Sequence, residues 1–342
     1  MRLGYAVAGR GYPVVRSAHW MTNIESDWRT LILEPWLTRL ASRYQLYRYD
    51  QRGSGMSEGE GLPLSVDAYT RDLEAVIDAA KLERFALIGA SGGGPAAIEY
   101  AARYPDRVSH LVLVGAFAQG ALRRNIPPEA RELFLAGVKM IEHGWGSGDE
   151  SFLQLFTSQF WPDATLEYMH SFNVLQRESQ SPKQAAAVVI ANGNADVSAF
   201  LEQVRCPTLV LHCRGDLRIP VEQGRLIASR IPNARFVPLE SRNHVPMPFE
   251  GEFQRMFEEI HAFLPQAEHI DPTHHPFPGL SPRERGVLEL LARGHDNLQI
   301  AAHLAISEKT VRNNITGIFD KLAVENRGQA IVKAREAGLG RA

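Results

Sequence analysis

Cysteine is scarce in this chain: two cysteines, Cys206 and Cys213, occur among 342 residues. They stand at either end of a short apolar segment, and their odd spacing predicts side chains on opposite faces of a strand. A disulfide between them is not expected, and both should be reduced thiols in the core.

Long apolar runs are also missing. No stretch approaches the roughly 20 residues that a membrane-spanning helix needs, and the amino terminus, MRLGYAVAGRG, has no apolar signal core. Hydrophobic residues make up 44% and charged residues 22%, proportions that are typical of a globular protein. We therefore expect a cytoplasmic protein that does not contact membranes.

A strong excess of one charge sign is absent from the chain as a whole, whose formal net charge is -2. The charge is unevenly distributed, however. Residues 280–342 contain 10 Lys and Arg against 7 Asp and Glu, which gives +3 there and leaves -5 for residues 1–279. A local basic excess of this kind favours a surface that faces nucleic-acid phosphates.

The first part of the chain alternates short apolar runs with amphipathic segments. This alternation predicts an α/β fold, in which helices cover both faces of a parallel sheet. The predicted strands are Val14–Ser17, Gln45–Tyr49, Phe85–Gly89, Leu111–Val114, Thr208–His212 and Phe236–Leu239, and the predicted helices include Ser65–Ala80 and Gly94–Tyr104.

Residues 120–203 interrupt this alternation with helical periodicity and no strand pattern. The predicted helices are Glu129–His143, Asp149–Trp161, Thr165–Glu178 and Pro182–Asn192. An all-helical insertion would form a cap over the carboxyl edge of the sheet, where ligands bind in open α/β folds. Most of its large apolar residues should close the core of the cap, and about a third should line a pocket. These residues are Phe134, Met140, Trp145, Phe152, Phe156, Trp161, Met169 and Phe172.

A proline-rich segment, residues 265–279, separates two predicted domains. It contains four prolines and lacks apolar periodicity, which predicts a linker between domains at residues 1–264 and 280–342. His269, His274 and His275 lie in this linker without carboxylate or thiolate partners at ligand spacing, so we expect no metal site there. No cofactor is expected elsewhere in the chain.

Ser91 is the candidate nucleophile. It stands in Gly89-Ala90-Ser91-Gly92-Gly93, between a predicted strand and a predicted helix, where glycines permit the sharp turn of a nucleophile elbow. Asp216 and His244 each follow a later strand, so the three residues occur in the order Ser, Asp, His. The imidazole would accept the serine proton, and the carboxylate would fix the imidazole tautomer.

With these residues and the loop Asp50-Gln51-Arg52-Gly53-Ser54-Gly55-Met56-Ser57, residues 1–264 resemble the α/β-hydrolase superfamily. The resemblance implies that the backbone N–H groups of Trp20 and Gly92 form an oxyanion hole. Ala18 and His19 stand where the family has His-Gly, a departure that could make hydrolysis slow even with an intact triad. The chain also begins close to the second strand of that fold, so its first strand should be short or absent.

Four short helices are predicted in the carboxyl-terminal domain. Ser281-Pro282-Arg283-Glu284 is a capping box that begins the first helix, and Gly294 ends it. The second helix begins at Asp296, the third spans Glu308–Leu322, and the fourth begins near Arg327.

The third of these helices has two different faces. At 100° per residue its apolar side chains share one face, whereas Lys309, Asn313 and Thr316 share the opposite face. Arg312 lies at the boundary between the two. A polar face of this kind can enter the DNA major groove, where Arg reads guanine and Asn reads adenine.

Over residues 280–339 the pattern resembles the LuxR/NarL-type DNA-binding domain, on stretches that include LSPRER, IAAHL and ISEKTV. The resemblance implies double-stranded DNA as a partner, bound by a homodimer on paired half-sites. Asn314 stands where that family often has histidine. The implied base contacts come from Arg312, Asn313 and Thr316, and the implied phosphate contacts come from Lys309, Thr310 and Lys321.

A hydrolase-like pocket and a DNA-binding module in one chain predict a one-component transcriptional regulator. Its amino-terminal domain would bind a small, largely apolar ester, lactone or aromatic metabolite and thereby control operator binding. Two alternatives stay open at this point. The triad could bind a ligand without turnover, or the chain could be an active serine hydrolase of esterase or lactonase type with a DNA-binding appendage.

Overall fold

The computed structural model of the chain describes residues 1–145, 150–265, 277, 279–304, 306–337 and 339–340. These residues fall into two compact units, Met1–Ala267 and Glu268–Ala342. Most of the predicted linker, including His269, His274 and His275, lies outside the described residues. None of the helices in the described ranges is long and apolar enough to span a membrane.

A seven-stranded sheet forms the centre of the first unit. The strands are β1 Tyr5–Ala8, β2 Tyr12–Arg16, β3 Tyr44–Tyr49, β4 Phe85–Ala90, β5 Val108–Val114, β6 Thr208–Cys213 and β7 Ala234–Leu239. Their spatial order is β1-β3-β2-β4-β5-β6-β7. Neighbouring strands are parallel except for β1 and β3, which are antiparallel. The parallel sheet predicted from the alternating pattern is therefore confirmed.

Helices cover both faces of this sheet. The helices of the unit are α1 Leu33–Ala41, α2 Val66–Ala79, α3 Gly94–Arg103, α4 Pro128–Gly144, α5 Glu150–Ser158, α6 Leu166–Ser179, α7 Pro182–Gly193, α8 Val221–Arg230 and α9 Gly251–Phe263. Residues of α2, α3 and α8 form one core cluster with the sheet, and residues of α1 and α9 form another on the opposite face. Every residue of β4 and β6 is buried, because both of their faces are covered.

The two cysteines belong to different faces of the sheet. Cys206 packs in the cluster with α2, α3 and α8, whereas Cys213 packs in the cluster with α1 and α9. Both are buried and free. The prediction of two unpaired core thiols is confirmed.

The first strand, β1, is present and short. Its four residues pair antiparallel with β3, from Tyr5 opposite Tyr49 to Ala8 opposite Leu46. Exposed and half-buried side chains alternate along it, since it lies at the edge of the sheet. A short first strand was one of the two expected outcomes, and its four residues give only a weak strand pattern in the sequence.

Helices α4 to α7 lie between β5 and β6 in the chain, where the sequence predicts an all-helical insertion. Helix α5 ends at Ser158 rather than at the predicted Trp161, and residues 159–160 form a turn. Trp161 itself is disfavoured in a helix because Pro162 follows it. Trp145, Trp161 and Phe172 are buried in a cluster within the insertion, as are other aromatic residues. The cluster also includes Trp20, which follows β2 in the chain.

The second unit contains four helices in its described part, α10 Pro282–Ala292, α11 Asn297–Leu304, α12 Glu308–Leu322 and α13 Arg327–Glu336. The predicted capping box is confirmed: the Ser281 hydroxyl accepts the Glu284 N–H, and the Glu284 carboxylate accepts the Ser281 N–H at 2.7 Å. Gly294, at φ +88°, ends α10 as predicted. Between α11 and α12, Ala305 lies outside the described residues.

The apolar face of α12 packs inward. Val311, Ile315, Ile318 and Leu322 are buried against α10, α11 and α13 in a single core cluster, and Phe319 is half-buried beside it. This orientation agrees with the face predicted from 100° periodicity. It leaves the opposite, polar face of α12 at the surface.

Candidate functional site

Ser91 lies at a sharp turn between β4 and α3. Its φ of +50° is in the left-handed region, which residues other than glycine adopt only with backbone strain. A Cβ on Gly93 would lie only 2.8 Å from the carbonyl oxygen of Ala18, so the turn packs directly on the segment after β2. Strain held by such close packing is typical of a nucleophile elbow.

Asp216 and His244 are joined by a short hydrogen bond. The distance from His244 Nδ1 to Asp216 Oδ2 is 2.6 Å, and both side chains are buried. The other carboxylate oxygen, Oδ1, accepts the backbone N–H groups of Arg218 at 2.8 Å and Ile219 at 3.0 Å. The aspartate therefore holds the imidazole with Nδ1 protonated, which leaves Nε2 as the basic nitrogen.

The surroundings of Asp216 keep its carboxyl group ionised. Burial alone would raise the pKa of Asp216, but the charge of His244 and hydrogen bonds from His212, His244 and a backbone amide lower that pKa well below its usual range. The His212 Nε2 atom lies 3.5 Å from Asp216 Oδ2 and 2.9 Å from the carbonyl oxygen of Ile219. An ionised carboxylate at this position stabilises an imidazolium when His244 accepts a proton.

Ser91 and His244 are placed at the same edge of the sheet, after β4 and β7. Within the described residues the His244 Nε2 atom is buried and has no hydrogen-bond partner, so the Ser91 hydroxyl is not bonded to it. Catalytic hydrogen bonds are often long in unliganded enzymes and form when a ligand enters. The structure thus joins Asp216 to His244 and places Ser91 at the same edge of the sheet.

The predicted oxyanion residues lie around Ser91. Trp20 and Gly92 line the same small cavity as Ser91, whose volume is about 90 Å³. The Trp20 ring stacks on Phe160 with a centroid distance of 5.8 Å.

Burial, followed by the charges of Arg16 and His244, lowers the pKa of His19 well below its usual value, so its imidazole is neutral. The His19 Nδ1 atom accepts the N–H of Met21 at 3.4 Å, which fixes the ring in the loop.

The small cavity at Ser91, here called the inner chamber, adjoins a larger one of about 500 Å³, here called the outer cavity. The second volume is in the range of small-molecule sites. The two share five lining residues: Ala121, Arg124, Phe134, Val189 and Arg218. Of the eight large apolar residues of the insertion, four line the outer cavity, namely Phe134, Met140, Phe152 and Phe156.

Three residues near the site have no role in the sequence prediction. Arg124 and Arg218 line both cavities, and Gly115 lies against the His244 ring. Arg218 follows Asp216 by two positions, so the sequence alone could have placed this arginine on the loop that carries Asp216. Arg124 lies in an aperiodic stretch between β5 and α4, and no local pattern distinguishes it from the arginine before it.

Gly115 ends β5 at φ +54°, and a Cβ there would lie 2.9 Å from Cε1 of His244. We expect Gly115→Ala to cost about 1–2 kcal/mol in unfolding free energy from backbone strain and to displace the imidazole. Urea unfolding and the rate of covalent labelling of Ser91 by an alkyl fluorophosphonate measure the two effects. Gly251→Ala, where a Cβ would meet nothing within 4 Å, is the control. Labelling of Gly115→Ala at the wild-type rate would contradict this role for Gly115.

The six residues predicted to contact DNA are all exposed: Lys309, Thr310, Arg312, Asn313, Thr316 and Lys321. Arg312 has a distant ion contact with Glu308, at 4.0 Å. Lys321 is different, because its ammonium group lies 2.7 and 2.9 Å from the two carboxylate oxygens of Glu284 in the capping box. A phosphate contact by Lys321 stays a prediction, and it would have to compete with this pair.

Several other cations of the second unit bind backbone carbonyl groups within it. Arg283 donates to Leu304, Lys333 to Leu322 and Arg335 to Ala292. These contacts cap helix ends, where cations are favourable. Net charge alone does not separate such structural cations from those on the polar face of α12, which are Lys309 and Arg312.

Comparisons with known families agree with both units. The family model described as serine aminopeptidase, S33, matches residues 36–238, more than half of the chain. The model described as bacterial regulatory proteins, luxR family, matches residues 278–334.

Similar proteins match more than half of this chain. A protein from Azorhizobium caulinodans named carbamate hydrolase RutD is 28% identical over an alignment of 253 positions that covers 71% of this chain and 88% of that protein. One of the same name from Caulobacter sp. is 28% identical over 58% of this chain and 74% of its own length.

Solved structures show the same fold at lower identity. An esterase from Rhodococcus sp. has a TM-score of 0.63 at 23% identity, covering 76% of this chain and 94% of its own. An enol-lactonase from Burkholderia xenovorans has a TM-score of 0.59 at 22% identity, covering 76% of this chain and 95% of its own. With the seven-stranded sheet and the elbow after β4, these matches show that the chain belongs to the α/β-hydrolase superfamily and carries a LuxR-type DNA-binding domain at its carboxyl-terminal end.

Proposed function

We propose that this protein is a ligand-responsive one-component transcription regulator. Residues 1–264 bind a small molecule, and residues 280–342 bind operator DNA with an affinity that the ligand sets. The observation that carries the proposal is the chamber at Ser91, which opens into a larger cavity in a chain that also presents a polar recognition helix. For a ligand to control DNA binding by such a chain, it needs only to bind one of two conformations more tightly than the other.

The helices α4 to α7 are the proposed moving element. They supply most of the wall of the outer cavity, including Phe134 and Phe152. A ligand that fills this cavity would bind differently to open and closed arrangements of the insertion, and this difference in affinity is what shifts the equilibrium. We further propose a homodimer on DNA, because modules of this type bind paired half-sites.

The alternative is a catalytically active serine hydrolase of esterase or lactonase type. Two observations favour it: the 2.6 Å bond between Asp216 and His244, and the strained backbone of Ser91. The names of the similar proteins, a carbamate hydrolase, an esterase and an enol-lactonase, also describe hydrolytic reactions. Against rapid turnover stands the departure at Ala18 and His19, since loss of one oxyanion donor costs about 3 kcal/mol of transition-state stabilisation.

Replacing Ser91 with alanine separates the two functions. An operator is first selected from random DNA with the full chain, and aryl and alkyl esters and lactones are then screened for an effect on operator affinity. If Ser91 only donates a hydrogen bond to an intact ligand, Ser91→Ala should weaken ligand binding by about 1 kcal/mol, yet saturating ligand should still change operator affinity. Ser229→Ala, exposed on α8, is the matched control.

If acylation or hydrolysis is the signal, the same variant should bind the ligand normally and never change its operator affinity. A flat operator curve for Ser91→Ala, with ligand binding confirmed by calorimetry, would therefore replace the receptor by the hydrolase. Loss of the response in Ser229→Ala as well would show that the assay, and not the site, was at fault.

A further inference from the structure

Two arginines meet at the junction of the inner chamber and the outer cavity. Arg124 comes from the segment before α4, and Arg218 comes from the loop after β6 that carries Asp216. Both line both cavities, and both are half-buried. A ligand that reaches from Ser91 into the outer cavity therefore lies against two arginine side chains.

Neither guanidinium is neutralised by the part of the chain that the structure describes. Arg218 donates to the side-chain oxygen of Gln159 at 3.1 Å and lies over the Phe160 ring at 5.0 Å, but no described carboxylate forms an ion pair with it. The same holds for Arg124, whose Nε atom is buried without a hydrogen-bond partner. Arg52, Arg107 and Arg230 of this unit are also half-buried, and they pair with Asp72, Asp78 and Glu202.

Asp216 is near enough to influence both arginines, but its oxygens are already occupied. They accept hydrogen bonds from the His244 imidazole and from two backbone N–H groups. Burial lowers the pKa of Arg218 to about 10, with Asp216 opposing the shift and Arg124 adding to it. Burial also lowers the pKa of Arg124. At neutral pH both groups stay charged, and they repel each other in partly dehydrated surroundings.

An unpaired cation in such a position is unfavourable in the empty protein and becomes favourable when an anion arrives. Guanidinium groups suit planar carboxylates in particular, because they donate two parallel N–H groups to the two oxygens. Beyond the arginines, the wall of the outer cavity is mainly apolar. It includes three large apolar side chains that are exposed: Leu133, Met140 and Leu155. The site therefore offers a cationic centre with an apolar region beside it.

We propose that the molecule bound beside Ser91 is an amphipathic organic carboxylate, whose carboxylate group is held by Arg124 and Arg218 and whose apolar part occupies the outer cavity. This inference rests on the proposed function in that it concerns the same ligand site. It narrows the expected ligand from a largely apolar metabolite to one that carries a negative charge next to its apolar part.

The test compares acids with their neutral amides of nearly equal shape. Octanoate with octanamide and 4-phenylbutyrate with 4-phenylbutanamide are titrated by calorimetry into the full chain, in a buffer without carboxylate or phosphate. We expect at least one acid to bind about tenfold or more tightly than its amide, because charge-assisted hydrogen bonds are roughly twice as strong as neutral ones. The double variant Arg124→Gln, Arg218→Gln should lose this preference, while Arg123→Gln, an exposed neighbour, should keep it.

Folding of the variants is checked by thermal melting. Removal of unpaired, half-buried cations should leave the melting temperature unchanged or higher. If the double variant is unstable, the two single variants are used instead, and each should show a reduced preference for the acid over the amide. Equal affinity for acid and amide in both pairs, or no measurable binding of either acid, overturns the proposal. A preference for acid that survives in the double variant overturns the assignment to these arginines.

The outcomes also distinguish this inference from the proposed regulation. If the acids bind through the arginines and leave operator affinity unchanged, the carboxylate site stands and ligand control of DNA binding fails. If a neutral ligand changes operator affinity while neither acid is preferred, regulation stands and the carboxylate site fails.

Discussion

Replacing His244 with alanine is expected to slow covalent labelling of Ser91 by an alkyl fluorophosphonate by a factor of about 10²–10⁴, the usual contribution of a general base. In this reaction the serine oxygen forms a bond to phosphorus, fluoride leaves, and the base takes up the hydroxyl proton. His244 is the base that the geometry offers, since Asp216 fixes the proton on its Nδ1 atom and leaves Nε2 free. Mass spectrometry of the labelled chain measures both the rate and the position of the adduct.

His110→Ala is a matched control for this experiment. His110 is half-buried on β5, where its ring packs against Phe263 rather than against the elbow. Its replacement should leave the labelling rate within a factor of about two, well below the loss expected for a catalytic base. An adduct on a residue other than Ser91, or labelling that is equally fast in His244→Ala, would mean that Ser91, Asp216 and His244 do not act together. Labelling by itself does not distinguish a receptor from a slow hydrolase. The Ser91→Ala experiment makes that distinction.

The sequence is most informative where structure depends on neighbours in the chain. The apolar runs of β4 and β6 predict buried parallel strands, because a strand covered on both faces needs no polar alternation. The capping box at Ser281 and the apolar face of α12 are likewise local patterns. Ser91 is predictable for the same reason, since the elbow consists of a strand, a turn and a helix in immediate succession.

The sequence is least informative where a side chain acts through a distant partner. Lys321 is assigned to phosphate by resemblance, yet its ammonium group binds Glu284, 37 residues earlier. Arg124 and Arg218 line the same cavities only because the fold brings together two loops that are far apart in the chain. Gly115 looks like an ordinary strand end, and its closeness to His244 follows only from the order of the strands.

Replacing Arg312 with alanine is expected to cost about 1–3 kcal/mol of binding free energy at the selected operator and to relax base preference at one position. Arg312 is exposed on the polar face of α12, and its ion contact with Glu308, at 4.0 Å, is weak enough to give way to a base edge. Fluorescence anisotropy with the operator and with single-base variants measures both effects. Lys309→Ala should instead weaken binding to all sequences alike and lower the salt slope by about one unit, as loss of a phosphate contact does.

Lys321→Ala requires a control of its own because of the bond to Glu284. Loss of this half-exposed ion pair should destabilise the helical unit by no more than about 1 kcal/mol. Glu284→Gln breaks the same pair while keeping the cation and a side chain able to cap α10. If Lys321 binds phosphate, Lys321→Ala should lower the salt slope, while Glu284→Gln should keep it or raise it, since the ammonium group is then free for DNA. Equal salt slopes for wild type, Lys309→Ala, Arg312→Ala and Lys321→Ala, with no change in base preference, would count against α12 as the element that reads DNA.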